Sequence, residues 1–307
     1  MIQIEQKNVK DKPFFYLTEQ VKLKNKYKKI QLYIGKNIPN NLSVYFAKLK
    51  EKERELIAEY LNNFDLPKKI TTIEFEKLES ARLDFKYRFA QLSDFQKEVF
   101  WRDFAIKFIF ESNAIEGSHL SQKEVEAIIR NKYVSKKLNR KEVVEVENSI
   151  KVFELIRSRK FKPNERAIIA LHKHLVQGLD IAYGFKKEEI FVNNKPTVAP
   201  GKVRESLANL LDWYRKKKKS NSHPLTVAAE FHARFEHIHP FTDGNGRIGR
   251  LLFNWMLINS GYGPILFRNK NRRAYFSALD QADDNRPTKL FRHVIDVYRH
   301  TITVLTK

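Results

Sequence analysis

The chain contains no cysteine among its 307 residues. Disulfides, thiolate zinc sites and cysteine nucleophiles are therefore excluded. Glycine is scarce, 10 residues in all, yet Gly244, Gly246 and Gly249 fall in one short loop. Acidic residues are outnumbered, 36 against 58 Lys and Arg, for a formal charge of +22. Such a balance attracts polyanions, whether nucleic acid, acidic protein surfaces or nucleotides, and does not choose among them. No apolar run is long enough to span a bilayer, so no membrane partner is expected. The start, MIQIEQKNVKDKPFF, lacks the apolar core of a signal peptide, and the expectation is a cytoplasmic location.

What is present is largely helical pattern. An apolar content of 42% with 31% charged residues suits a folded globular chain. Residues 14–36 are rich in Tyr, Phe, Ile and Val, with a turn signal near Lys24–Asn25, and predict a β-hairpin. Leu42–Asn63 is helix-patterned and ends before Pro67. From Thr71 onward nearly everything reads as helix. The exception is Gly184–Gly201, whose short apolar stretch, Asn-Asn turn and two prolines predict a hairpin or extended flap. The run Lys216–Lys219 continues a helical pattern and reads as a solvated helix end. The expected fold class is mainly α, a helical bundle with an inserted β-hairpin flap and a small mixed N-terminal part. A boundary near residues 65–70 divides residues 1–67 from residues 68–307.

The stretch FEHIHPFTDGNGRIGRLLFN, Phe235–Asn254, concentrates the uncommon residues. Gly244–Gly249 matches G-x-G-x-x-G, but Val227, Phe231, Phe235 and Ile238 upstream recur at helical spacing, so the segment before the loop is not a strand. A dinucleotide fingerprint requires one, and that reading fails, as does a kinase glycine-rich loop. Ile248, Leu251, Leu252 and Trp255 share one face of a second helix. The loop thus opens on a helix N-terminus, where unpaired N–H groups and the positive dipole end make an anion site. Gly244 and Gly246 let the backbone close around a phosphate. Arg247 and Arg250 in the first turns oppose the dipole unless an anion is bound. Asp243 supplies a hard oxygen ligand of the kind Mg²⁺ on a nucleotide requires. His239, at the end of the preceding helix, can reach a proton near the phosphates. A zinc-hydrolase reading fits poorly: His232 and His237 are five apart, a poor chelating separation on a helix, and no H-E-x-x-H occurs. His172 and His174 read as partly exposed helix residues.

From His239 to Arg250 the sequence HPFTDGNGRIGR resembles, position for position, the Fic family signature H-x-F-x-[DE]-G-N-G-R-x-x-R. The resemblance extends over roughly Phe100–Thr303. It implies a mostly helical Fic-type fold and transfer of AMP from ATP to a target hydroxyl, with ATP and Mg²⁺ required. It implies His239 as general base, Phe241 as anchor of the loop in the core and Asp243 as metal ligand. Gly244, Asn245, Gly246, Arg247 and Gly249 would cradle the phosphates, and Arg250 would meet the γ-phosphate. Tyr275 and Phe276 would line the nucleotide pocket, while Asp283 stands where some relatives carry Asn. The flap, residues 186–197 with Phe191, Val192 and Asn193, would pair with an extended stretch of a target protein.

A second motif, Ser112-Asn-Ala-Ile-Glu116-Gly117, resembles the inhibitory signature [ST]-x-x-x-E-[GN] of the same family. Phe104, Ala105, Phe108 and Ile109 give a helix face, and Gly117 is a natural helix stop. Glu116 then sits at a helix C-terminus, where the dipole disfavours a carboxylate and a nearby cation is needed. The family implies Arg250 as that partner, with the pair occupying the γ-phosphate position. Ser121-x-x-Glu124 reads as a capping box opening the next helix. The expectation is an autoinhibited protein adenylyltransferase that can label itself and can form a homodimer. De-AMPylation by the same site, another nucleotide substrate, or a basic nucleic-acid-binding regulator using Lys22–Lys36 remain as alternatives.

Overall fold

The computed structural model describes residues 2–23, 26–61, 64–67, 69–131, 137–158 and 161–306. It begins with a three-stranded antiparallel sheet: β1 (Gln3–Val9), β2 (Lys12–Leu23) and β3 (Lys26–Gly35), in that order. The hairpin read from the sequence is β2 and β3. β1 adds a third strand that the polar stretch QIEQKNV does not announce. It is an exposed edge, and its backbone pairing to β2, from Gln3 opposite Thr18 to Val9 opposite Lys12, makes it a strand. The turn signal at Lys24–Asn25 lies outside the described residues.

Alternation along β2 buries Leu17, Val21 and Leu23 on one face, which packs against α1 (Ser43–Leu61). The predicted end of that helix at Asn63 also falls outside the described residues. α2 (Thr72–Ala90) starts at a Thr71–Glu74 capping box. Charged side chains tie these elements together. Glu53 of α1, 1% exposed, accepts from Lys86 Nζ at 2.7 Å and Tyr87 Oη at 2.8 Å. Glu79 of α2 accepts from Arg82 Nε at 2.6 Å and lies 3.1 Å from His223 Nε2.

α3 (Asp94–Ile115) carries the predicted face Phe104, Ala105, Phe108 and Ile109 into the core. Its C-cap is Glu116, and Gly117 follows with φ +104°, the left-handed stop expected there. Ser121 and Glu124 form the predicted box before α4 (Gln122–Asn131). α5 (Arg140–Arg157) and α6 (Glu165–Leu175) lead to the flap, a minimal hairpin of β4 (Phe191–Val192) and β5 (Lys195–Pro196). Its turn residues Asn193 and Asn194 both have positive φ, as a tight primed turn requires. α7 (Val203–Lys219) ends in the four lysines.

The chain then builds α8 (Pro224–Ile238), α9 (Asn245–Asn259), α10 (Arg272–Asp283) and α11 (Thr288–Leu305). α8 and α9 pack on each other, with Phe231, Phe235, Ile248 and Leu252 at 1% exposure or less. Each such side chain contributes roughly 1.5–3 kcal/mol by leaving water. The fold is mainly α, and among the described residues no helix is long and apolar enough to cross a membrane.

Candidate active site

The loop between α8 and α9 is held from below. Phe241 is fully buried, and its ring stacks on that of His172 at a centroid distance of 3.9 Å, with 1° between the planes. The side chain of Asn245 accepts from the Phe241 N–H at 2.9 Å and donates to the Phe241 carbonyl at 2.7 Å. Both of its polar atoms are thus engaged in closing the loop, which differs from the phosphate-cradling role expected of it.

His172 was expected to be partly exposed and is fully buried. Its Nδ1 accepts from the Gly184 N–H at 3.2 Å, so the ring proton is on Nε2, which donates to the Asp243 carbonyl at 3.0 Å. Burial holds the imidazole down at about 4, against the opposing effect of Asp243, so it is neutral at pH 7. The signal was available: His172 lies four residues after Ile168 and three before Leu175, on the buried face of α6. His174 is exposed.

His239 ends α8 in the left-handed region, φ +48°, with its N–H on the Phe235 carbonyl. Its Nδ1 is 3.2 Å from the Glu236 carbonyl. A proton on Nδ1 makes that bond and leaves the Nε2 lone pair to take a proton. Burial lowers the pKa of the ring, opposed by the Glu236 carbonyl, so the base form prevails at neutral pH.

Arg250 is the most enclosed cation of the site at 1% exposure. Its Nε donates to Ser112 Oγ at 3.0 Å, and Nη2 donates to the Ser112 carbonyl at 2.9 Å and to Glu116 Oε1 at 2.7 Å. The Glu116 carboxylate lies against Gly246: a Cβ there would overlap Oε1 and stand 2.9 Å from Arg250 Nη1. The anion that the glycine loop calls for is therefore present as a side chain from α3. Each of the two arginines of the loop keeps one nitrogen buried without a hydrogen-bond partner, Arg250 Nη1 and Arg247 Nε. Arg247 meets Asp243 Oδ1 at 3.1 Å and Glu145 Oε1 at 3.4 Å, the latter a partner that the sequence did not suggest.

Asp243 is half exposed, and its Oδ1 also accepts from the Gly244 N–H at 2.5 Å. The structure thus brings together Ser112, Glu116, His239, Asp243, Gly246, Arg247 and Arg250. Tyr275 lies instead in the core, 2% exposed, its hydroxyl 2.6 Å from His232 Nε2. Its ring is surrounded by Phe267, Phe276 and His293, which is why it does not line an open pocket. Phe276 is partly buried beneath the Arg272 guanidinium.

The flap tip presents Phe191, 60% exposed, and Val192 to solvent, and the Asn193 amide reaches Asp280 at 3.4 Å. Its base is fixed by Lys186, a residue without a sequence signal: the buried Nζ donates to Thr197 Oγ1 at 2.5 Å, and its N–H donates to the Pro240 carbonyl.

Comparison with known proteins fits this geometry. The Fic/DOC family model matches residues 162–257. That span holds the whole loop but not Ser112–Gly117 or α10, and is narrower than the resemblance read from the sequence. A protein adenylyltransferase Fic from Nematostella vectensis is 30% identical over 212 residues, covering 64% of this chain and 49% of that protein. One from Drosophila willistoni is 26% identical over 199 residues, covering 63% and 40%. The chain thus spans half or less of the length of these curated relatives. A solved Fic family protein from Desulfovibrio desulfuricans has a TM-score of 0.65 at 26% identity, over 78% of this chain and 76% of that one. A Fic domain containing signaling protein from Bacteroides thetaiotaomicron, 22% identical, shares the fold with a TM-score of 0.69 over 75% and 96%. Residues 162–257 thus match the Fic/DOC family model, within a mainly helical fold that this chain shares with solved Fic proteins.

Proposed function

We propose that this site transfers AMP from ATP to a hydroxyl side chain of a target protein, and that Glu116 restrains it. The observation that carries the reading is the Glu116–Arg250 pair at 2.7 Å, a carboxylate seated where α9 and two buried arginines favour an anion. The unpartnered Arg250 Nη1 and Arg247 Nε fit a ligand with more oxygens than one carboxylate offers, as a polyphosphate has.

In the reaction, Nε2 of His239 takes the proton of the target hydroxyl as its oxygen attacks the α-phosphorus. The bond to the β-phosphate bridging oxygen breaks, and pyrophosphate leaves with that electron pair. Arg250 and Arg247 hold the phosphates, the Gly246 amide lies in the cradle, and Asn245 and His172 keep the loop in shape. Catalysis rests on positioning and charge stabilisation. Asp243 fits Mg²⁺, being a half-exposed hard oxygen donor whose Oδ1 is held by Gly244 and Arg247, and its carboxylate would hold the ion. The metal would neutralise charge between the phosphates. The exposed Phe191 and Val192 at the flap tip suit an extended segment of the target. Residues 1–67 act in this reading as an accessory part joined to the catalytic part, residues 68–307, through Glu53, Lys86 and Tyr87.

The test is incubation of the chain, of Glu116→Gly and of Glu116→Gly/His239→Ala with α-³²P-ATP and Mg²⁺, read as protein-bound label. Label in Glu116→Gly that disappears when His239 is also replaced supports the reading. Equal label with and without His239 refutes the proposed base.

A further inference from the structure

Beside the anion position lies a second carboxyl that the transfer step does not use. Glu236 is on α8, one turn before His239. Its side chain is 16% exposed, and Oε1 is buried without a hydrogen-bond partner. Across from it, 3.7 Å away, is His232 Nδ1, also buried and unpartnered. Arg250 Nη1 is a third such atom. Gly249 leaves room for the first two: a Cβ there would overlap Glu236 Oε1 and stand 2.9 Å from the His232 ring. A lone buried carboxylate is costly unless a cation answers it. Here the cation of the site is already answered by Glu116.

We propose that Glu236 is the alternate counter-charge of Arg250, a positioning residue that pairs with the guanidinium when Glu116 has left it. The inference rests on the reading of Glu116 as a displaceable occupant of the anion position. His232 on its own helix lies 3.7 Å from Glu236. The charges that act on its carboxyl are those of Arg250 on α9, Glu116 at the end of α3 and Asp283 on α10, and the Tyr275 hydroxyl of α10 feels its charge in turn. Burial pushes the Glu236 carboxyl up to about 8; Arg250 opposes this, and Glu116 and Asp283 add to it. His232 is brought down to about 3 by burial and then by the Arg250 charge, so it is neutral and cannot serve as the counter-ion. With Glu116 in place, Glu236 therefore keeps its proton. Once Glu116 leaves, its repulsion is removed and Arg250 is unneutralised. Glu236 then releases its proton to solvent and pairs with Arg250. When an anionic phosphate arrives, Glu236 takes a proton back. The guanidinium thus stays charge-balanced throughout the exchange of carboxylate for nucleotide.

The test uses the full chain without nucleotide, as parent, Glu116→Gly, Glu236→Gln and the double variant, unfolded by heat at pH 7. Glu236→Gln moves the parent Tm by no more than about 1 °C, since one neutral group replaces another. In Glu116→Gly the same change lowers Tm by roughly 5 °C or more, because Arg250 loses its remaining counter-charge. Additive losses overturn the proposal. A purely structural role is separated by titrating the Glu236 carboxyl carbon by NMR. Its midpoint lies near 8 in the parent and falls by more than about one pH unit in Glu116→Gly. An unchanged midpoint overturns the proposal. Because no nucleotide is present, these results stand or fall independently of AMP transfer: absent labelling in Glu116→Gly refutes the transferase reading alone.

Discussion

Glu116, the cap of α3, places Oε1 2.7 Å from Nη2 of Arg250 on α9, 134 residues further along the chain. The same guanidinium is clamped by the Ser112 hydroxyl and carbonyl, one turn earlier on α3. A helix C-terminus, unfavourable to a carboxylate, has thereby been docked on a helix N-terminus, which favours one.

Removing the carboxylate opens the site. Glu116→Gly is expected to raise ATP-dependent labelling by about tenfold or more, equivalent to some 1.4 kcal/mol of relieved competition. Titration of nucleotide binding against both forms is the check. Equal affinity and equal labelling would show that Glu116 does not restrain the site.

The His172 ring holds the loop through two hydrogen bonds and a stack on Phe241. His172→Phe keeps a ring but strands the Gly184 N–H and the Asp243 carbonyl, at a cost of about 1–3 kcal/mol in denaturant unfolding. His172 also carries an acid dependence. Its folded pKa, about 4, is depressed by burial below the ordinary 6.5. Its contribution is therefore present above pH 6.5 and is lost as pH falls from 6.5 through 4. The parent should lose about 3 kcal/mol across that window on this account, and His172→Phe should lack that part of the slope.

Glu79 predicts a second and separate acid window. Burial would raise its pKa, but Arg82, His223 and Tyr262 outweigh it and bring the carboxyl down to about 2. Its stabilisation is present above pH 4.5 and disappears as pH falls through 2. Glu79→Gln is expected to cost about 3 kcal/mol at pH 7, with the difference from the parent shrinking between pH 4.5 and 2. A pH-independent difference would contradict the ion-pair account.

Much of the site was legible because it is local in sequence. The loop residues from His239 to Arg250 are contiguous, and their helix-flanked context excluded the dinucleotide reading. Glu116 was legible for a different reason: a carboxylate at a helix end needs a cation, and the resemblance to the inhibitory signature implied Arg250 as that cation. The features that stayed hidden depend on burial from several directions. His172 is covered by Phe241, 69 residues away only through folding. Tyr275 looked like a pocket residue and lies in the core because Phe267 and His293 close over it. Asn245 turned inward to the Phe241 backbone, and Glu236 drew no notice because one acidic residue in FEHIHPF carries no pattern. β1 was missed because edge strands form from backbone pairing and leave little apolar alternation to read.

The most direct measurement incubates Glu116→Gly with ATP labelled either at the α- or at the γ-phosphate, with Mg²⁺, and compares the label retained on protein. AMP transfer predicts retention from α-³²P-ATP and none from γ-³²P-ATP, with loss of the α-label when His239 is replaced. Retention of the γ-label would mean phosphoryl transfer and would contradict the account.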